Sequence, residues 1–134
     1  MAKAVGFGGV FLKARDSKAL AKWYEENLGI PSSPGGLMFG VPGDGSEPGI
    51  TTFACFPLDT KYFGDGPQTA MLNFRVDDLD GVLAKVAAGG AKVDEKREEY
   101  DFGRFAWFWD PEGNRVELWE PAAETDEPTE AELN

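Results

Sequence analysis

Apolar and polar positions along the 134-residue chain follow two rhythms, one of strands and one of helices, and the same order of rhythms occurs twice. Residues 5–14 carry a Val-Phe-Leu centre among glycines and read as a strand that stops at Arg15-Asp16. Asp16 suits a helix N-cap, because its carboxylate accepts from the orphan amides of a first turn. Leu20, Trp23, Tyr24 and Leu28 then recur at helical spacing, and Gly29 stands where a left-handed cap belongs, which predicts a helix over 17–28. Turn residues precede Leu37-Met38-Phe39, so short strands are expected within 30–41. A Gly/Pro-rich loop, 42–49, leads to a strand at 50–57. Residues 59–66 connect onward, with Tyr62-Phe63 as their anchor.

The second pass repeats the first. A strand is predicted at 69–76, with Asp78 as N-cap. Leu79, Val82, Leu83 and Val86 form a helical stripe that ends at Gly89-Gly90. Strands follow at 91–100, 104–109 and 115–120, and Asp110-Pro111-Glu112-Gly113-Asn114 is the turn between the last two. Laying Phe11-Leu-Lys-Ala-Arg-Asp16 over Asn73-Phe-Arg-Val-Asp-Asp78 brings strand, basic residue, cap and helix into register at an offset of 62. Each half is β-α-β-β-β and too small to close a core alone, so the halves must pack on each other or on a second chain. The expected fold class is α+β: two βαβββ modules, about 5–58 and 68–120, forming a curved, incompletely closed mixed sheet around a cavity. They make up one domain, 1–120.

Strand alternation then sorts side chains by face. If Asp110 opposes Asn114, Trp109 opposes Arg115, Trp107 opposes Glu117 and Phe105 opposes Trp119, all on one face. Ala106, Phe108, Val116 and Leu118 share the other face, which is wholly apolar and belongs against a helix. By the same alternation Met71, Asn73 and Arg75 join the first face while Leu72, Phe74 and Val76 go to the core. In the first strand Val10, Leu12 and Ala14 are assigned to the core, which leaves Phe7, Gly9, Phe11 and Lys13 for the cavity. Such aromatics also serve as plain filling of a curved sheet. The charges favour a ligand cavity, because a buried Glu117 is costly unless Arg75, Arg115 or Lys13 neutralises it.

Composition narrows the function. The formal charge of −11 argues against nucleic acid as a partner, since phosphate binding needs clustered Lys and Arg. Histidine is absent, which removes the usual neutral-pH base, the usual partner of a Ser or Cys nucleophile and the commonest metal ligand. A lone cysteine, Cys55, excludes an intramolecular disulfide and fits a reducing compartment. No apolar run approaches the roughly 20 residues needed to span a bilayer, and no export signal opens the chain, so a cytoplasmic protein is expected. Residues 121–134 hold five acidic side chains and no basic one, and read as a disordered tail.

The run Gly103-Arg-Phe-Ala-Trp-Phe-Trp-Asp-Pro-Glu-Gly-Asn-Arg-Val-Glu-Leu-Trp-Glu-Pro121, with its Asp-Pro-x-Gly-Asn-x-x-Glu-Leu core, resembles the vicinal-oxygen-chelate superfamily. That superfamily includes glyoxalase I, bleomycin-resistance proteins and extradiol dioxygenases. Arg15-Asp-Ser-Lys-Ala-Leu-Ala-Lys-Trp-Tyr-Glu-Glu-Asn-Leu-Gly29 and Val76-Asp-Asp-Leu-Asp80 support the likeness, which covers about residues 5–120. The resemblance implies four metal-ligand positions, falling on Gly9, within 53–56, on Met71 and on Glu117. Only Glu117, and Cys55 if it is in register, are donors of the usual kind, so a divalent metal is disfavoured and no cofactor is expected. The resemblance further implies a homodimer that binds a small aromatic or cationic molecule without metal, as bleomycin-resistance proteins do. Alternatives are a metal-dependent lyase or dioxygenase with an atypical ligand set, a metal-free isomerase with Glu117 as catalytic base, and a protein-interaction module. The loops 42–49 and 59–66 are the expected hinge or lid elements.

Overall fold

The two aspartate caps set the frame. In the computed structural model, which describes residues 2–33, 36–43, 45 and 49–122, the Asp16 carboxylate accepts from the Ala19 N–H and opens helix α1 (Ser17–Leu28). Asp78 does the same for Gly81 and opens α2 (Leu79–Ala88). Gly29, at φ 65°, turns the chain out of α1 through the left-handed region, where its N–H donates to the Glu25 carbonyl.

The strands are β1 (Ala4–Ala14), β2 (Ser32–Ser33), β3 (Gly36–Phe39), β4 (Thr51–Pro57), β5 (Ala70–Val76), β6 (Lys92–Tyr100), β7 (Gly103–Trp109) and β8 (Arg115–Pro121). Each half of the chain therefore runs β-α-β-β-β. The strands form one eight-stranded mixed sheet in the order β2-β3-β4-β1-β5-β8-β7-β6. Within each half the first and last strands pair in parallel, β1 with β4 and β5 with β8. The halves meet where β1 and β5 pair antiparallel, so the two modules join within one chain. The end strands β2 and β6 do not pair with each other, which leaves the sheet open.

The Asp110–Asn114 turn fixes the register of the last hairpin. Asp110 N–H donates to the Asn114 carbonyl at 2.9 Å, the Asp110 carboxylate accepts from the backbone of Glu112 and Asn114, and Gly113 takes φ 86°. The predicted pairs Trp109 with Arg115, Trp107 with Glu117 and Phe105 with Trp119 follow. Ala106 and Leu118 pack with Val76, Leu79 and Val82 beneath α2, with Phe108 and Phe74 alongside. Full burial of each large apolar side chain there stabilises the fold by about 1.5–3 kcal/mol.

Two face assignments need correction. Phe7 does not line the helix-free face. A β-bulge at Gly8 shifts the pairing between Phe7 and Gly9, so Phe7 opposes and stacks on Phe74 at 5.0 Å, on the helix side, half exposed. Leu72, assigned to the core, is 40% exposed. It lies between the areas that the two helices cover, since α1 packs mainly on β4 and α2 on β6, β7 and β8. Of the acidic tail, Pro121 closes β8 and Ala122 follows it, while residues 123–134 lie outside the described residues. Among the described residues no helix is long and apolar enough to cross a membrane.

Candidate functional site around Glu117

On the helix-free face β5, β7 and β8 bring Asn73, Trp107 and Glu117 into adjacent places, with Asn73 and Trp107 each directly opposite Glu117. Glu117 is 1% exposed, and a bare carboxylate there would be very costly. Its two oxygens are held instead by neutral donors: Asn73 Nδ2 donates to Oε1, and the Tyr62 hydroxyl donates to Oε2. The 59–66 connection delivers Tyr62 and Phe63 onto this face. There they complete an aromatic sheath with Phe11, Phe56 and Trp107, in which Tyr62 stacks on Phe56 at 5.3 Å and meets Trp107 edge-on at 6.2 Å.

Burial pushes the Glu117 carboxyl above the ordinary glutamate range. The Tyr62 and Asn73 hydrogen bonds pull it back, and the nearby Arg115 charge adds to that pull. The Trp107 indole lies close enough to favour the ionised form as well, although its N–H makes no hydrogen bond of good geometry. Tyr62 is driven far above the usual phenol range, by burial first and then by the Glu117 charge, so it remains a donor.

None of the three basic residues expected to neutralise Glu117 forms an ion pair with it. Arg115 is buried and turns away to the Asp94 carboxylate at 2.9 Å and the Tyr62 carbonyl at 2.8 Å, lying over the rings of Trp107 and Trp109. Asp94 is itself partly desolvated, yet the Lys96 backbone N–H and the Arg115 guanidinium hold its carboxyl below the ordinary aspartate range. Lys13 sits over the Phe63 ring at 5.4 Å. Arg75 lies across β1, its Nε donating to the Phe7 carbonyl at 3.1 Å. Glycines make room for these side chains: a Cβ on Gly6 would stand 2.6 Å from Arg75 Nη2, and one on Gly8 would stand 2.1 Å from Asn73 Oδ1.

Strand pairing also settles the four ligand positions that the resemblance implies. Phe11 sits beside Ala54 as Asn73 sits beside Glu117, so the first-module equivalent of Glu117 is Ala54. Cys55 opposes Leu12 on the helix side and cannot join Glu117 in holding an ion. Gly9, Ala54, Met71 and Glu117 together offer a single carboxylate, both of whose oxygens accept from protein donors, and a divalent ion needs several hard donors, so the donor set does not fit such an ion. Among the described residues no group of three or more His, Cys, Asp or Glu side chains could hold a metal.

Two further features mark the face. Asn73 Oδ1, Trp107 Nε1 and Trp119 Nε1 are buried without a hydrogen-bond partner. All three belong to Glu117's immediate neighbours in the sheet, across from it on β5 and β7 or two residues along β8. Beside them Phe105 and Trp119 stack with planes 1° apart. Tyr100 and Phe102 stack next to Phe105, 51% and 60% exposed. The Tyr100 hydroxyl donates to Glu98, which also pairs with Lys96.

Phe11, Phe105, Trp107, Trp109, Trp119 and Glu117 were legible on this face from strand alternation. The role of Tyr62, and the presence of Asp94, Lys96, Glu98 and Tyr100, were not. Tyr62 comes from a connection without periodicity, and β6 is charged at all but Val93 and Tyr100, so its inward positions 94, 96 and 98 carry no hydrophobic signal.

Sequence comparison places the chain in a family. The profile of a glyoxalase-like domain family matches residues 9–119, and the chain belongs to that family. No curated protein matches it in sequence. Among solved structures, methylmalonyl-CoA epimerase from Mycobacterium tuberculosis is similar at 21% identity and a TM-score of 0.63, covering 91% of each chain. A Streptomyces coelicolor methylmalonyl-CoA epimerase, in complex with 2-nitronate-propionyl-CoA, aligns at 16% identity and a TM-score of 0.66, over 90% of this chain and all of that one. The NAD-dependent benzaldehyde dehydrogenase from Legionella pneumophila aligns at 13% identity and a TM-score of 0.56, over 85% of this chain and 98% of that one. At these identities the likeness is one of fold, and it agrees with the vicinal-oxygen-chelate architecture.

Proposed function

We propose that this protein binds a small planar aromatic molecule, preferably a cation, on the helix-free face without a divalent metal ion. The carrying observation is the set of three buried, unpartnered polar atoms around Glu117. Such atoms are few in native folds, and each calls for a water or a ligand to complete it. The parallel Phe105 and Trp119 rings and the exposed Tyr100 and Phe102 supply stacking surface for a planar body. Glu98 and Glu117 on the same face favour positive charge. The Trp119 N–H and the Asn73 carbonyl oxygen are suited to orienting a polar edge.

Tryptophan fluorescence tests this reading. In the presence of a chelator, titration with a panel of acridinium dyes is expected to quench the emission saturably, and Trp119→Ala is expected to abolish the response. An unresponsive signal across the panel, or quenching that needs added metal, rejects the proposal.

A second reading, a metal-free isomerase with Glu117 as general base, is favoured by the upward-shifted Glu117 carboxyl. Methylmalonyl-CoA epimerases share the fold. Occupation of both Glu117 oxygens by Tyr62 and Asn73 weighs against it, because a base must reach the proton it takes.

A further inference from the structure

We propose a second binding site, distinct from the Glu117 face, that takes a small planar monoanion of the aromatic carboxylate class. It lies where β1 runs into α1, in an open groove of about 850 Å3. That volume is within the range of small-molecule sites, about 300–1,000 Å3. Ala14, Ala19 and Leu20 contribute its apolar lining, and Trp23 and Leu58 stand in it as uncovered apolar groups, each 53% exposed.

Charge selects the occupant. The groove also presents Lys13 and Arg15, and among the described residues neither forms an ion pair. The one carboxylate in the groove, Asp16, is committed to the Ala19 N–H as the α1 cap. Lys13 and Arg15 outnumber Asp16 here, so a chain of net charge −11 turns locally positive at this groove. An anion finds the exposed Arg15 guanidinium here, with Lys13, whose ammonium lies over the Phe63 ring, beside it. A guanidinium matches a carboxylate with two parallel hydrogen bonds, and an indole face accepts an aromatic ring by stacking. One molecule satisfies both if it carries an anionic group on a flat ring. Its charge is opposite to that preferred on the Glu117 face, so the two sites do not compete for the same ligand.

The test is a two-dimensional 1H–15N NMR titration of the full chain with 2-naphthoate, in which the four tryptophan indole signals report separately. The expected result is a saturable shift of the Trp23 indole and of the backbone amides of residues 14–19. Arg15→Gln and neutral 2-naphthamide should each weaken binding about five-fold, the effect of one exposed charge at contact distance. Leu58→Ser, outside any helix or strand, should weaken it as well. Three results would overturn the proposal: shifts centred on the Trp107 and Trp119 indoles, equal affinity for naphthoate and naphthamide, or no saturable shift at millimolar ligand.

Discussion

Glu117→Gln separates the cost of a buried charge from the value of the contacts around it. The substitution keeps shape and volume. The Gln carbonyl oxygen can still accept from Tyr62, and the new amide N–H faces Asn73, whose unpartnered Oδ1 becomes its acceptor once the Asn73 amide turns over. The desolvation of a carboxylate, worth several kcal/mol before compensation, is removed. Two hydrogen bonds to a charged group, each worth about 1.5–3 kcal/mol, become neutral ones of about 0.5–1.5. Burial is the dominant influence on this carboxyl and its net shift is upward, so removing the charge gains more than the weaker bonds lose.

The expected gain at pH 8 is about 1 kcal/mol, or about 3–5 °C in Tm for a domain of this size. The pH dependence follows from linkage. A carboxyl raised in the folded state binds its proton more tightly there than in the unfolded chain. The wild type therefore gains stability as pH falls through the folded pKa toward the unfolded value near 4.5, and loses it as pH rises. Asp80, Asp94, Glu98 and Asp110, all shifted downward, lose their stabilisation at lower pH in both proteins and cancel in the difference. Thermal unfolding of the pair from pH 4 to 8 should give a difference that favours the variant at pH 8 and vanishes near pH 4. A variant less stable than the wild type at pH 8 would refute the dominance of burial.

Tyr62→Phe should cost about 1.5–3 kcal/mol at neutral pH, because Glu117 Oε2 loses its donor; the loss should shrink in urea titrations at lower pH, where the carboxyl is protonated. Gly8→Ala drives a Cβ to within 2.1 Å of Asn73 Oδ1, and a loss above about 2 kcal/mol is expected by denaturant unfolding. Asp94→Ala leaves the buried Arg115 guanidinium without its ion-pair partner, at a cost of about 3 kcal/mol in the same assay.

How much was readable beforehand depends on where local chemistry fixes register. Asp110-Pro-Glu-Gly-Asn114 determines its own hairpin, so the pairing of Trp107 with Glu117 followed from the sequence. The stretch Gly6-Phe-Gly-Gly9 carries no alternation to betray a bulge, and Phe7 was assigned to the wrong face for that reason. Parallel pairing of β1 with β4 is set by packing across a long connection, so whether Ala54 or Cys55 matched Glu117 required the fold itself. Neutralisation of Glu117 by a cation was the natural expectation from charge alone. The neutral Tyr62 and Asn73 fill that place because the 59–66 connection folds back into the curve of the sheet, a tertiary event that leaves no periodic mark. Arg115 was free to turn aside because Asp94 arrives from β6.

The central claim is that Tyr62 and Asn73 occupy the carboxylate that a metal would otherwise use. Elemental analysis of the chain after equilibration with manganese, iron, nickel and zinc, followed by removal of free ions, tests it most directly. The account predicts far less than one bound ion per chain, unchanged by Glu117→Gln. One ion per chain that disappears in Glu117→Gln would contradict it.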